Sequence, residues 1–200
     1  MRPEWEGISI LHKDPTEGGR ARILSLHSII QDAMDSGSVP KKFTFLEVGV
    51  FQGDVAEHLL ASFPGMVYTG IDCWKAQDGE VYEDTANNQD VLDEARRITM
   101  GRTYKYGNRC MFVEALSPGV IRELPDWHYN VVYIDANHST DAVKSDIFAA
   151  MPKLADNGIM CGHDYCDGWE TVKDGVNMAA ADLGRIVVSC WPDSSVWYFK

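Results

Sequence analysis

Apolar residues recur along this chain with two different periods, and the two periods alternate. In ARILSLHSIIQDAM, Ile23, Leu26, Ile30 and Met34 are spaced for one face of a helix, with Gly37 as its stop. FTFLEVGV then reads as a short apolar strand, after which Asp54 is placed to cap a helix carrying Val55, Leu59, Leu60 and Phe63. The alternation continues with strand MVYTGI (66–71), helix NQDVLDEARRIT with Val91, Leu92, Ala95 and Ile98 on one face, strand CMFVEA and short helix PGVIREL. Strand VVYID follows, then a long helix DAVKSDIFAAMPKL with Val143, Ile147, Met151 and Leu154 inward, strand GIMCGH, and helix TVKDGVNMAAADL, weakened by Gly175. RIVVS and SVWYFK close the chain; the turn WPDS between them is too short for a crossover helix, so they must pair antiparallel.

Strands alternating with helices predict an α/β fold: a Rossmann-like, doubly wound sheet of seven strands, mostly parallel, ending in an antiparallel C-terminal hairpin. In such sheets ligands bind outside the carboxyl ends of the strands. Here those ends are Glu47–Gly53, Asp72, Glu114–Ser117, Asp135–His138 and His163–Tyr165, and every chemically suggestive residue falls at one of them. With no repeat, low-complexity tract or linker, the 200 residues read as one domain: an N-terminal helical segment, 1–42, and a cofactor-binding and catalytic core, 43–200.

Composition narrows the partners. The formal net charge is −12 at pH 7, and no Lys/Arg cluster is present. Nucleic acid and an anionic membrane surface are thereby disfavoured, and a small neutral or cationic ligand suits the chain better. No run approaches the roughly 20 apolar residues that span a bilayer. The N-terminus lacks a signal-peptide core, and the five scattered cysteines read as reduced thiols in a cytoplasmic protein.

The stretch FLEVGVFQGD carries the first piece of chemistry. Gly49 and Gly53 flank the turn out of the first strand, where glycine lets the backbone approach a ligand closely. A dinucleotide fold would place another glycine between them, but position 51 is Phe. Glu47 would repel a pyrophosphate and suits a cation such as an α-ammonium. Asp72, ending the second strand, is an acceptor for both hydroxyls of a ribose. An amino acid joined to a nucleoside without phosphate is S-adenosylmethionine. With these residues in place, E-x-G-x-x-x-G followed by I-D resembles the class I S-adenosylmethionine-dependent methyltransferases, over about residues 43–200.

The stretch 131–165, with IDANH…D…PKL…NG…GHDY, is similar to the macrocin O-methyltransferase and cephalosporin-hydroxylase-like group, whose wider relatives include the catechol O-methyltransferases. The resemblance implies methyl transfer to a hydroxyl of a small sugar or phenol-like acceptor, often with Mg²⁺ or another divalent cation. It maps metal ligands onto Asp135, His163 and Asp164, a base onto His138, and an adenine pocket onto Glu114 and Ala115. It also leaves a homo-oligomer open. One imidazole beside a carboxylate is a less typical Mg²⁺ pair than two carboxylates, and His163 has alternative roles, as a support behind the ligands or as a proton acceptor. His138, with an ordinary pKa near ~6.5, suits proton transfer at neutral pH.

Other residues have bland readings beside functional ones. Trp74 either stacks on adenine or packs, and Glu114 either lines the pocket or is a solvated acid. Cys161, His163 and Cys166 are close enough in sequence to suggest zinc, although Cys161 sits on a core-facing position. Trp5, His12 and His27 read as packing. The polar segment 73–90 suits a lid over the acceptor, and CDGWE (166–170) offers Trp169 as a flat apolar face. Two other classes remain in view: a non-catalytic S-adenosylmethionine-binding module, and a nicotinamide-dependent oxidoreductase, against which Phe51 and Glu47 count.

Overall fold

The computed structural model describes residues 20–76, 88–190 and 192–200. Seven strands form one sheet: β1 (Phe43–Val48), β2 (Met66–Asp72), β3 (Cys110–Glu114), β4 (Tyr129–Ile134), β5 (Leu154–Gly162), β6 (Val187–Ser189) and β7 (Trp197–Phe199). The spatial order is β3-β2-β1-β4-β5-β7-β6. The first five strands are parallel, while β7 runs antiparallel to both β5 and β6. The sequence-based expectation of a doubly wound sheet closing on a hairpin is met.

Among the described residues, six helices cover the sheet: α1 (Arg20–Asp35), α2 (Asp54–Ser62), α3 (Gln89–Thr103), α4 (Gly119–Glu123), α5 (Thr140–Ala150) and α6 (Glu170–Leu183). Period-2 alternation within the strands sorts residues into two cores. Phe45, Tyr68, Val131, Tyr133 and Cys161 face Leu26 and Ile30 of α1 and Val55, Leu59 and Leu60 of α2. Leu46, Val48, Ile71, Val132, Ile134 and Met160 face α4, α5 and α6. Gly175, a weak point in a lone helix, is buried where α6 meets α5: a Cβ there would stand 2.8 Å from the Thr140 carbonyl oxygen.

Local expectations are corrected at two boundaries. Gly53, in the left-handed region at φ 73°, occupies the N-cap of α2, and Asp54 is its first helical residue, ion-paired with Arg102. A left-handed cap requires a residue without Cβ strain, so glycine takes the place an aspartate would hold in an extended cap. The helix read through Leu154 ends at Ala150; a short 3₁₀ turn containing Pro152 follows, and Leu154 opens β5 opposite Tyr129.

Candidate active site

The carboxyl ends of β1, β2, β4 and β5 lie side by side, and their loops build the site. Gly49 turns the chain at φ 90°, and a Cβ there would lie 1.9 Å from the Asp135 carbonyl oxygen. The close approach of the β1 and β4 ends therefore requires glycine. The turn that follows is held from both sides. Asp72 Oδ2 accepts from the Val50 and Phe51 amides at 2.9 Å each, and its Oδ1 accepts from the Trp74 amide at 2.8 Å. From α3, Thr99 donates to the Phe51 carbonyl at 2.7 Å and Arg102 to the Gln52 carbonyl at 2.9 Å. Phe51, in the left-handed region at φ 51°, is kept there by these contacts. The result is a preformed turn at the edge of the sheet.

Three residues read as cofactor contacts, Glu47, Trp74 and Glu114, have partners within the protein. Glu47 is 2% exposed and accepts a hydrogen bond from the Tyr68 hydroxyl across the sheet. Burial raises its pKa well above the ordinary range, against the opposing effect of the Tyr68 bond. Trp74 is also buried, packed with Val50 and Ala95, and its indole N–H donates to the Phe51 carbonyl at 2.8 Å. Packing, one of its two readings, is the one the fold uses. Glu114 is half exposed and pairs with Arg96 of α3, whose Nε donates at 2.6 Å. Ala115 follows β3 with its amide on the Asp72 carbonyl at 3.2 Å.

At the ends of β4 and β5, four titratable side chains converge. His138 Nε2 lies 3.0 Å from Asp164 Oδ2 and 3.8 Å from Asp135 Oδ1. His163 Nδ1 lies 3.0 Å from Asp164 Oδ1 and 3.7 Å from Asp135 Oδ1. Strand pairing Ile134 with Gly162 brings the two ends together. Asp164 adopts φ 58°, which turns its carboxylate back over the strand end; Asp tolerates this region better than most residues.

The electrostatics follow from mixed charges in a mostly buried cluster. Burial alone would raise the Asp135 pKa, but the His163 charge, hydrogen bonds from both histidines and the Arg22 guanidinium together hold it well below the ordinary range. Asp164 is lowered in the same way, against burial, by His163 and by hydrogen bonds from both imidazoles. Burial would depress His138, yet Asp135 and Asp164 raise it to about 9. The two carboxylates thus make His138 a stronger base than an ordinary imidazole.

Asp135, His138 and Asp164 each offer a ligand atom, all within 4.8 Å of one another. The ligand set expected from sequence was Asp135, His163 and Asp164. His163 faces both aspartates through Nδ1, while its Nε2 is 2.8 Å from Ser195 Oγ and its carbonyl accepts from the Trp197 indole N–H at 3.2 Å. The C-terminal hairpin thus anchors His163, and His138 converges on the same two aspartates beside it. Cys161 points into the core, its thiol on the Val132 carbonyl at 3.2 Å, away from any zinc cluster with His163.

Trp169, in the loop before α6, meets the His138 ring edge-to-face at 4.5 Å between centroids. His27 packs on Phe63 at 4.8 Å and lies 3.2 Å from His58 across the α1–α2 contact, so it serves packing. Trp5, His12 and positions 77–87 of the segment read as a lid lie outside the described residues. Two contributors were not singled out from sequence. Ser195 gives no signal there. Arg22 does: it sits four residues before Leu26 and eight before Ile30, at the head of the buried stripe of α1, and its NH1 reaches Asp135 Oδ2 at 3.4 Å.

A seven-stranded sheet in this order, with a glycine turn after β1 and acids at the next strand ends, defines a class I methyltransferase fold. A methyltransferase-domain family model matches residues 46–165, more than half of the chain. The chain belongs to that family and is an S-adenosylmethionine-dependent methyltransferase. Among solved structures it is similar to the O-methyltransferase NovP, with 17% identity, TM-score 0.70 and coverage of 92% of this chain and 80% of that one. It is similar to CalS11, described as a TDP-rhamnose 3′-O-methyltransferase of calicheamicin biosynthesis, with 17% identity, TM-score 0.60 and the same coverages, 92% and 80%. It also resembles the S-adenosylhomocysteine-bound methyltransferase PaMTH1 of Podospora anserina, with 14% identity, TM-score 0.60 and coverage of 88% and 77%. Among curated proteins none matches significantly. No helix among the described residues is long and apolar enough to cross a membrane.

Proposed function

We propose that this methyltransferase moves a methyl group to a hydroxyl of a small acceptor, a sugar or phenol-like ring, at the Asp135–His138–Asp164 cluster. The observation that carries the reading is the convergence of those three side chains within 4.8 Å beside the preformed glycine turn. CalS11 and NovP, both named as O-methyltransferases, support it through a shared fold. The cofactor lies over Gly49–Gly53, with its ribose at Asp72, whose Oδ1 retains capacity for a further donor. Its adenine lies toward Glu114–Ser117. Trp169, edge-on to His138, supplies a flat apolar wall for the acceptor ring. The unit that performs this is a single domain that includes α1, whose Leu26 and Ile30 pack with β1 and α2 in one core.

The residues fit a divalent cation. Asp135 and Asp164 are held ionised, and two carboxylates with one imidazole suit Mg²⁺ or Mn²⁺. Asp135, Asp164 and the His138 imidazole would hold it. When bound, such a cation lowers the pKa of a coordinated hydroxyl and fixes its position. Where the two aspartates alone hold the cation, the neutral form of His138 accepts the proton of the acceptor hydroxyl, and the imidazolium so formed pairs with Asp164, 3.0 Å from its Nε2, before passing the proton to solvent. His163, tied to Ser195, holds Asp164 in place from the other side. Much of the remaining acceleration is orientation of acceptor and methyl donor in line.

Radiolabelled S-adenosylmethionine offered with a panel of nucleotide sugars, glycosides and catechols tests the reading. Label should pass to a hydroxyl oxygen, and Asp164→Ala should abolish transfer without weakening cofactor binding. Transfer to nitrogen or carbon, or a fully active Asp164→Ala, overturns it.

A further inference from the structure

We propose that Arg22 is a cofactor-binding residue that receives the α-carboxylate of S-adenosylmethionine. The inference rests on the cofactor placement above. The strand ends that surround the cofactor carry the acids Asp72, Asp135 and Asp164. These suit an ammonium, a sulfonium and ribose hydroxyls, and leave the carboxylate without a partner. A cation must answer it, and the arginines near the turn differ in how far they are already committed.

Arg102 is fully engaged. It donates to the Gln52 carbonyl at 2.9 Å, pairs with Asp54, and lies 3.6 Å from Glu57. Arg96 is bound to Glu114. Arg22 has a single ion pair among the described residues, to Asp135 at 3.4 Å, longer than the ~2.7–2.9 Å of a well-made charge-assisted bond. Its Nε is buried with no hydrogen-bond partner among the described residues. The Tyr133 hydroxyl, which interacts electrostatically with the guanidinium, is also buried and without a partner among those residues. Two buried donors without partners among the described residues, one of them cationic, suit a carboxylate, which accepts the fork of a guanidinium in bidentate fashion.

The position matches. The Asp135 carbonyl oxygen is the atom that a Cβ on Gly49 would strike, so Arg22 pairs with a residue forming the wall of the glycine turn. Its charge is also felt at Asp54, where α2 begins, and at Asp164. The methionine end of the cofactor, with its reactive sulfonium, must lie in that same space if its methyl is to face the Asp135–His138–Asp164 cluster. The helix that brings Arg22 there is anchored by Leu26 and Ile30, both fully buried on the same stripe.

Calorimetry with three ligands tests this. S-adenosylhomocysteine carries the carboxylate, its decarboxylated analogue lacks that group alone, and 5′-methylthioadenosine lacks the whole amino-acid end. The wild-type protein should bind S-adenosylhomocysteine roughly 10- to 100-fold more tightly than the decarboxylated analogue, the range for a hydrogen-bonded charge pair. Arg22→Met should erase that preference while leaving methylthioadenosine affinity within about twofold, and Arg22→Lys should restore part of it. Equal affinity of the wild type for the first two ligands overturns the proposal, whatever the stability of the variants. So does an equal loss for all three ligands in a folded Arg22→Met protein, which marks a structural role. A wild type that binds none of the three sinks the cofactor placement itself.

Discussion

Asp146, on the inward face of α5, is buried, with Oδ2 accepting from the Ser117 hydroxyl at 3.0 Å and Oδ1 without a partner among the described residues. Burial pushes its pKa up to about 7, against the lowering effects of Ser117 and Arg122. An unfolded aspartate titrates near ~3.9. Between about pH 4 and pH 7 the native state therefore binds more protons than the unfolded chain, so stability is greatest below that window and falls as pH rises through it. The loss is on the order of 2–4 kcal/mol, since each tenfold difference between the two acidity constants corresponds to ~1.4 kcal/mol. In Asp146→Asn this part of the slope should vanish, and urea denaturation at several pH values in that window measures it. An unchanged slope in the variant rejects the assignment. The same logic, with opposite sign, applies to Asp135 and Asp164, where neighbouring cations outweigh burial. An acid's identity is written in the sequence; the direction in which its pKa moves is set by neighbours up to 113 residues away, as in the Arg22–Asp135 pair.

Among the elements, α1 links the N-terminal segment to the chemistry. Its inward stripe buries Leu26 and Ile30 against Phe43, Phe45 and the α2 residues Val55 and Leu59. Leu26→Ala should cost about 2–5 kcal/mol, the range for emptying a fully buried leucine site. Because the same stripe begins with Arg22, a loosened α1 should weaken S-adenosylhomocysteine more than methylthioadenosine. Thermal unfolding gives the first number and calorimetry the second, and an equal weakening of both ligands would falsify the link between α1 packing and the cofactor's amino-acid end. The β6–β7 hairpin plays the matching part at the other edge, where Ser195 and Trp197 fix His163. The period of α1 was legible because four apolar residues mark one face. Its docking site was not, since a helical stripe specifies burial without specifying the surface that provides it.

Across the whole molecule, charge and geometry act together. A formal net charge of −12 favours a cofactor bearing a sulfonium and an ammonium, and the acidic strand ends concentrate that preference at the site. If Asp135, His138 and Asp164 hold a divalent cation, dialysis against EDTA should lower the rate at least about a hundredfold, with Mg²⁺ or Mn²⁺ restoring it. His138→Ala should lose ~10²–10⁴ in kcat in either condition. A chelated protein at full rate, beside an inactive His138→Ala, removes the cation and keeps the base.

By itself the sequence determined the alternation of elements, the antiparallel ending and the glycine turn. It also marked Asp135, His138, His163 and Asp164 as strand-end residues of neighbouring strands. These follow from local rules: hydrophobic period, turn chemistry, and the tendency of parallel sheets to bind at their carboxyl ends. Tertiary structure alone decided which of them meet. Both His138 and His163 meet the two aspartates, and a serine 32 residues beyond His163 holds the far nitrogen of its imidazole, so that Nδ1 faces them. The partner of Glu47 was settled by the pairing of β1 with β2, which brings Tyr68 beside it. Arg22 entered the site because a buried helix face directs its side chain to Asp135. Each outcome turns on contacts between residues far apart in the chain, and side-chain reach of a few ångströms is fixed only when distant segments are packed.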